Sequence, residues 1–150
     1  MGEKKYKIGY TVGTYDLLHI GHINMFRHAK EYCEKLIVAA HSDEWVFKCK
    51  QRSTIIPFEQ RKELLSELKC VDVVIKNDGL SKLEAWKELK FDVAFIGEDW
   101  KGTHVWNEIE KELNTVGVKV IYLPCTEGIS TTEIREKIAK QNNKKIENKS

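Results

Sequence analysis

The stretch KIGYTVGTYDLLHIGHINMFRHAK, residues 7–30, decides the fold. Its first seven residues are apolar and β-prone and end at Gly13. A short polar turn follows, Thr14, Tyr15 and Asp16, with Leu17 and Leu18 placed to plug it into a core. Beyond it Ile23, Phe26, Ala29 and Cys33 recur at helical spacing. Strand, tight turn and amphipathic helix make the first half of a βα unit.

The rest of the chain repeats that alternation. Short runs rich in Val, Ile and aromatics return at 36–41 (LIVAAH), 71–76 (VDVVIK), 91–97 (FDVAFIG) and 118–124 (VKVIYLP). Such runs suit strands buried on both faces of a parallel sheet. Helical patterns separate them: Leu64, Leu65 and Leu68 after Pro57; Leu83, Trp86 and Leu89 after Ser81; and Val105 to Leu113. A last helix starts near Ser130, with Glu133 placed for a capping box. The expected fold is α/β, a single-domain open parallel five-stranded sheet with helices on both faces. Ligands of such sheets sit at the carboxyl ends of the strands, near the switch in strand order.

Composition narrows the function. The chain has 150 residues, enough for one domain with a sizeable core. Residues 140–150 hold four Lys and one Glu, leaving the body with 21 basic and 22 acidic groups. A near-neutral body does not support a broad nucleic-acid-binding surface. Residues 1–139 are read as the domain and 140–150 as a frayed, basic polar tail. No apolar run approaches membrane-spanning length and no signal-peptide core is present, so a soluble, cytoplasmic protein is expected. Cys33, Cys49, Cys70 and Cys125 form no C-x-x-C pair and are read as reduced thiols.

His19 and His22 stand around Gly21 where the first helix opens. Three readings compete. As core residues, both rings would have to be buried together beside a glycine. As metal ligands, they could recruit Asp16, but no fourth ligand is obvious and the spacing is not that of a zinc site. As phosphate donors they fit their place: a helix start presents free N–H groups and a positive dipole end, and Gly21 lets a ligand approach. The third reading is preferred.

At this point GTYDLLHIGH (13–22) resembles the G-T-F-D-L-L-H-x-G-H signature of the cytidylyltransferase-type nucleotidyltransferases, which have a Rossmann-like fold. Three further blocks resemble that family in order: KCK (48–50), which the resemblance places on a loop after the second strand, followed by Arg61; GEDWKG (97–102); and TEGISTT (126–132). The resemblance covers Lys5 to Ile138 and is greatest to compact bacterial members, usually dimeric, that use glycerol 3-phosphate as acceptor. It implies transfer of CMP from CTP to a phosphate monoester, giving CDP-glycerol and pyrophosphate. It assigns catalysis to His19, His22, Lys48, Lys50 and Arg61. It assigns nucleotide binding to Thr14, Tyr15, Asp16, Gly21, Asp99, Thr126, Glu127, Gly128, Ile129, Ser130, Thr131 and Thr132. Mg²⁺ would arrive with the triphosphate, and no metal would be held by the protein itself. Lys82 is a candidate for the acceptor phosphate. One departure stands out: Cys125 occupies a position where the family usually has arginine, which removes a fixed bidentate charge. Two alternatives remain: a same-fold transferase using ATP or another acceptor, and a nucleotide-binding sensor with weakened catalysis.

Overall fold

The computed structural model describes residues 4–148. Five strands, β1 (Tyr6–Gly13), β2 (Cys33–His41), β3 (Val73–Asn77), β4 (Val93–Gly97) and β5 (Lys119–Leu123), form one sheet. Their order is β3-β2-β1-β4-β5 and every pairing is parallel. The order reverses between β1 and β4, so the crevice expected of such a sheet opens beside the end of β1. Helices α1 (Ile20–Tyr32), α2 (Asp43–Lys50), α3 (Phe58–Ser66), α4 (Lys82–Leu89), α5 (His104–Asn114) and α6 (Thr131–Asn148) complete the chain, with one 3₁₀ turn at Glu98–Trp100.

Two apolar layers sandwich the sheet. On one face Phe26 and Ala29 of α1 and Phe58 and Leu65 of α3 meet Leu36, Val38, Val93 and Phe95. On the other, Ala85 of α4 and Leu113 of α5 meet Tyr10, Ile37, Ala39 and Ala94. Residues on a strand alternate between faces, so adjacent β2 residues serve opposite layers. Tyr10 stacks on Phe91 with ring centroids 4.5 Å apart, which anchors the second layer to the strand that carries the β1 turn.

The five strands lie where expected, but only the inner ones are buried on both faces. β3 and β5 are edge strands and largely half-buried. Four local expectations are corrected. Cys33 is not on α1; it is the first residue of β2, because the helix passes into the strand with no loop. Leu64 faces solvent, since the single turn between Arg61 and Leu65 already supplies the buried face of α3. The KCK segment is not on a loop. It is the last turn of α2, which Ser42 caps by accepting the Trp45 N–H at 3.2 Å while Asp43 and Glu44 favour the helix start. Finally, the polar tail is not frayed: α6 continues through Asn148, its Lys, Gln and Glu residues suiting a solvated helix. Lys149 and Ser150 lie outside the described residues.

Candidate active site

A cavity of about 720 Å³ opens at the carboxyl ends of β1, β2, β4 and β5. That volume suits a nucleotide with a small second substrate. Four cations line it, Lys50, Arg52, Lys82 and Arg135, against two carboxylates, Asp16 and Asp99. The excess of positive charge marks an anion site.

The β1–α1 turn forms its floor. Tyr15 and Leu17 both take left-handed backbone angles, with φ of 55° and 51°, so the chain doubles back tightly. The Tyr15 ring folds under Gly13, where a Cβ would sit 2.9 Å from it. Its hydroxyl lies 3.1 Å from the Thr11 hydroxyl, which itself donates to the Phe95 carbonyl. Tyr15 therefore donates to Thr11, and burial raises its pKa and keeps it a neutral phenol. The plug of this turn is Tyr15 with Leu18; Leu17 is only half-buried.

His19 is the N-cap of α1, not part of it. Its Nδ1 accepts the Gly21 N–H at 3.0 Å, and the Nδ1 of His22 accepts the His19 N–H at 3.2 Å. These two bonds form a capping box built from imidazoles. Gly21 is required because the His19 ring folds over it: a Cβ there would meet His19 Cε1 at 2.8 Å. The helix start is consequently mostly closed. The N–H groups of Gly21, His22 and Ile23 have internal partners, which leaves only that of Ile20 of the backbone anion site expected there. The rings take its place. With both Nδ1 atoms accepting, each proton sits on Nε2. The rings stack at 3.8 Å between centroids. Burial, with the neighbouring His19 charge, pulls the His22 pKa down to about 4 against a weaker opposing pull from Asp16. Burial also lowers that of His19. The pair is neutral at pH 7 and presents two fixed Nε2–H donors.

Asp16 is 3% exposed and accepts four donors. Oδ1 takes the N–H groups of Leu17 and Ile56; Oδ2 takes the Ile55 N–H and the Arg135 guanidinium, both at 2.7 Å. The Asp16 carbonyl also accepts the Thr131 hydroxyl at 3.0 Å. One residue thus ties together the β1–α1 turn, the segment before α3, and the start of α6. Its oxygens are engaged, so it braces the cavity and does not reach a ligand as a free carboxylate.

Of the other residues expected here, Thr14, Asp99, Thr126, Ile129, Ser130, Thr131 and Thr132 line the cavity. Lys50 does too, its Nζ 3.5 Å from the Thr14 hydroxyl, and burial lowers its pKa. Lys48 lies exposed outside the lining: two residues apart on a helix, Lys48 and Lys50 cannot face the same way. Arg61 is 1% exposed and sits behind the wall. It donates to the Ile56 and Thr14 carbonyls and to Asp43 at 2.6–2.8 Å, holding the lining from outside. Glu127 and Gly128 form the exposed tip of the turn before α6, Gly128 at φ 77°. Ser130 caps α6 by accepting the Glu133 N–H at 3.1 Å. With Thr131 bound to Asp16, only Thr132 of the three hydroxyls makes no bond within the described residues. Cys125 donates its thiol to Asp99 at 3.5 Å, and burial raises its pKa, so it is a thiol and not a thiolate.

Sequence reading missed Arg135, Arg52, His41, Trp45 and Trp106, all of which line the cavity. Arg135 had a signal: it stands four residues after Thr131, on the same face of α6. His41 and Trp106 come from distant elements and had none. Lys82 does line the cavity, its ammonium 5.2 Å from the Trp106 ring, and burial lowers its pKa.

Comparison with known proteins agrees with this geometry. The sequence profile of the cytidylyltransferase-like family matches residues 10–137, from the middle of β1 into α6. The chain belongs to the cytidylyltransferase-like family. Glycerol-3-phosphate cytidylyltransferase of Staphylococcus aureus is 42% identical over 130 residues, covering 85% of this chain and 92% of that protein. The enzyme of the same name from Bacillus subtilis is 38% identical, covering 86% and 95%. Among solved structures, the lipopolysaccharide core biosynthesis protein of Thermoplasma volcanium superposes with a TM-score of 0.66 at 26% identity, over 81% of this chain and 97% of that one. Pantothenate synthetase of Thermus thermophilus, at 16% identity and a TM-score of 0.58 over 89% of this chain and 65% of that one, shares the fold alone. As a family member this chain is a nucleotidyltransferase, and the imidazole-capped helix start lines its cavity.

Proposed function

We propose that the enzyme transfers CMP from CTP to glycerol 3-phosphate, giving CDP-glycerol and pyrophosphate. The observation that carries this reading is the pair of fixed Nε2–H donors facing a cation-rich cavity large enough for two substrates. The names of the S. aureus and B. subtilis relatives support the choice of nucleotide and acceptor. An oxygen of the acceptor phosphate attacks the α-phosphorus of CTP, and the bond to the β-phosphate breaks as pyrophosphate leaves. The attacking phosphate is already ionised at neutral pH, so no base is needed. Catalysis is alignment and charge stabilisation. His19 and His22 donate to the phosphate oxygens on which charge develops. Lys50 neutralises the junction between the substrates, Thr14 and Thr132 add hydroxyl donors, and Arg135 and Arg52 add positive charge. Lys82, half-desolvated against Trp106, takes the acceptor phosphate.

Mg²⁺ is proposed to travel with the triphosphate. Asp16 has both oxygens engaged by N–H donors, and no group of three His, Cys, Asp or Glu converges among the described residues. The metal would therefore be held by phosphate oxygens and water, as Mg²⁺ prefers. A homodimer in the cytoplasm belongs to the same reading. Phe47 and Ile55, each 59% exposed, are among the large apolar side chains open to a partner copy. No described helix is long and apolar enough to cross a membrane.

Pyrophosphate release, measured with CTP and with ATP against a panel of phosphate monoesters, tests this. Turnover with CTP and glycerol 3-phosphate, exceeding every other pair, is the expected result. A preference for ATP or another acceptor would replace the substrates proposed, and tight nucleotide binding without turnover would favour a sensor.

A further inference from the structure

His41 is the last residue of β2, paired across the sheet with Asn77, the last residue of β3. It lines the cavity beside Trp45, Lys50 and Lys82. Its ring stacks on Trp45, with centroids 3.9 Å apart and planes inclined by 23°, so one ring face is covered and an edge is left to meet a ligand. Nδ1 lies inside the wall on the Asn77 side and completes no hydrogen bond. Nε2 bonds to no protein atom among the described residues, which leaves it as the hydrogen-bonding atom of the ring toward the cavity. Burial, reinforced by the Lys82 and Lys50 charges, pulls the pKa down to about 4, so the ring is neutral at pH 7. The capped histidines differ: full hydrogen bonds fix their tautomer, whereas His41 feels only a weak pull from the Asn77 side chain that falls short of a bond. A neutral imidazole free to donate or to accept suits a hydroxyl, which can do both. It is a poor partner for a phosphate beside two lysines better suited to one. His41, Lys50 and Lys82 line one cavity, and the roles proposed above for the two lysines would bring the acceptor's carbon chain toward His41.

We infer that His41 is a specificity-determining residue that hydrogen-bonds a hydroxyl of the acceptor's carbon chain, selecting a polyol phosphate over a plain alkyl phosphate. A site built around a hydrogen bond discriminates strongly against a ligand lacking the group, because its own polar atom is then left unpaired. The inference rests on the reading proposed above.

The test compares glycerol 3-phosphate with propyl phosphate, propane-1,2-diol 1-phosphate and propane-1,3-diol monophosphate, at saturating CTP. The unsubstituted enzyme should prefer glycerol 3-phosphate, and one of the two diol phosphates should retain most of that preference. His41→Phe should lower kcat/KM for glycerol 3-phosphate by about tenfold, the effect of one hydrogen bond. It should change propyl phosphate turnover by less than twofold and leave the KM for CTP unaltered. His41→Gln, which keeps a donor and an acceptor, should recover part of the preference. Equal losses with all acceptors, as a purely structural stacking role would give, would overturn the inference. So would an unsubstituted enzyme indifferent to the hydroxyls, a result that needs no variant to fold. Failure of the unsubstituted enzyme to use glycerol 3-phosphate at all would instead remove the underlying reading and the inference with it.

Discussion

Two helix starts lie side by side on the cavity wall, and they are capped by opposite strategies. At α6 the cap is a hydroxyl, Ser130, which accepts one N–H and keeps a single O–H with no fixed direction. At α1 the caps are two imidazoles, and each ring has a second nitrogen on its far side. Capping therefore leaves the Ser130 proton free to rotate but aims those of His19 and His22. A hydroxyl cap stabilises a helix; an imidazole cap stabilises it and fixes a donor in space. The helix dipole and free N–H groups, a general reason for anions to bind at helix starts, matter less at α1 than the side chains that close it.

The comparison predicts unequal consequences. His22→Ala should lower kcat by about 10²–10³-fold, the usual effect of removing one transition-state donor. Far-UV circular dichroism should be nearly unchanged, since α1 keeps the His19 cap. Near-normal turnover would move the chemistry away from this helix start. Asp16→Asn strikes the link between the two starts. Loss of the pair with Arg135, whose partner carboxylate has a side chain 2% exposed, should lower unfolding stability by about 3 kcal/mol in urea titrations. An unchanged midpoint would show that the turn and α6 hold without the link. Ser130→Ala should be mildest, about 1 kcal/mol of stability with kcat within twofold. A large loss of kcat there would mean that the hydroxyl at α6 does more than cap.

These contrasts also show what could be read before the fold was known. The β1–α1 unit was legible because its geometry is local: strand, turn and helix follow one another, and His19, Gly21 and His22 act within four residues. The sheet was legible from the spacing of its apolar runs. Local reading failed where a residue's partner is distant. Asp16 lies in the right turn, but its role as a brace depends on Ile55, Ile56 and Arg135, none of them near it in sequence. Arg61 carries a charge suited to phosphate, yet its burial against Asp43 and two carbonyls places it behind the wall. Lys48 and Lys50 would be equivalent on a loop; a helix of eight residues separates them onto different faces. His41 and Trp45 were silent because only the ends of β2 and β3, brought level by the sheet, turn that corner into a cavity wall.

The imidazole cap also limits what the two rings can do with protons. Each ring accepts a backbone N–H at Nδ1, and a backbone amide does not give its proton up. Neither ring can relay a proton from one nitrogen to the other while α1 stays capped. Releasing the Nε2 proton would leave an imidazolate, a base far too strong to form at neutral pH. His19 and His22 are thus held to hydrogen-bond donation without transfer, and the turn suits a reaction whose nucleophile arrives already ionised and whose leaving group departs as an anion.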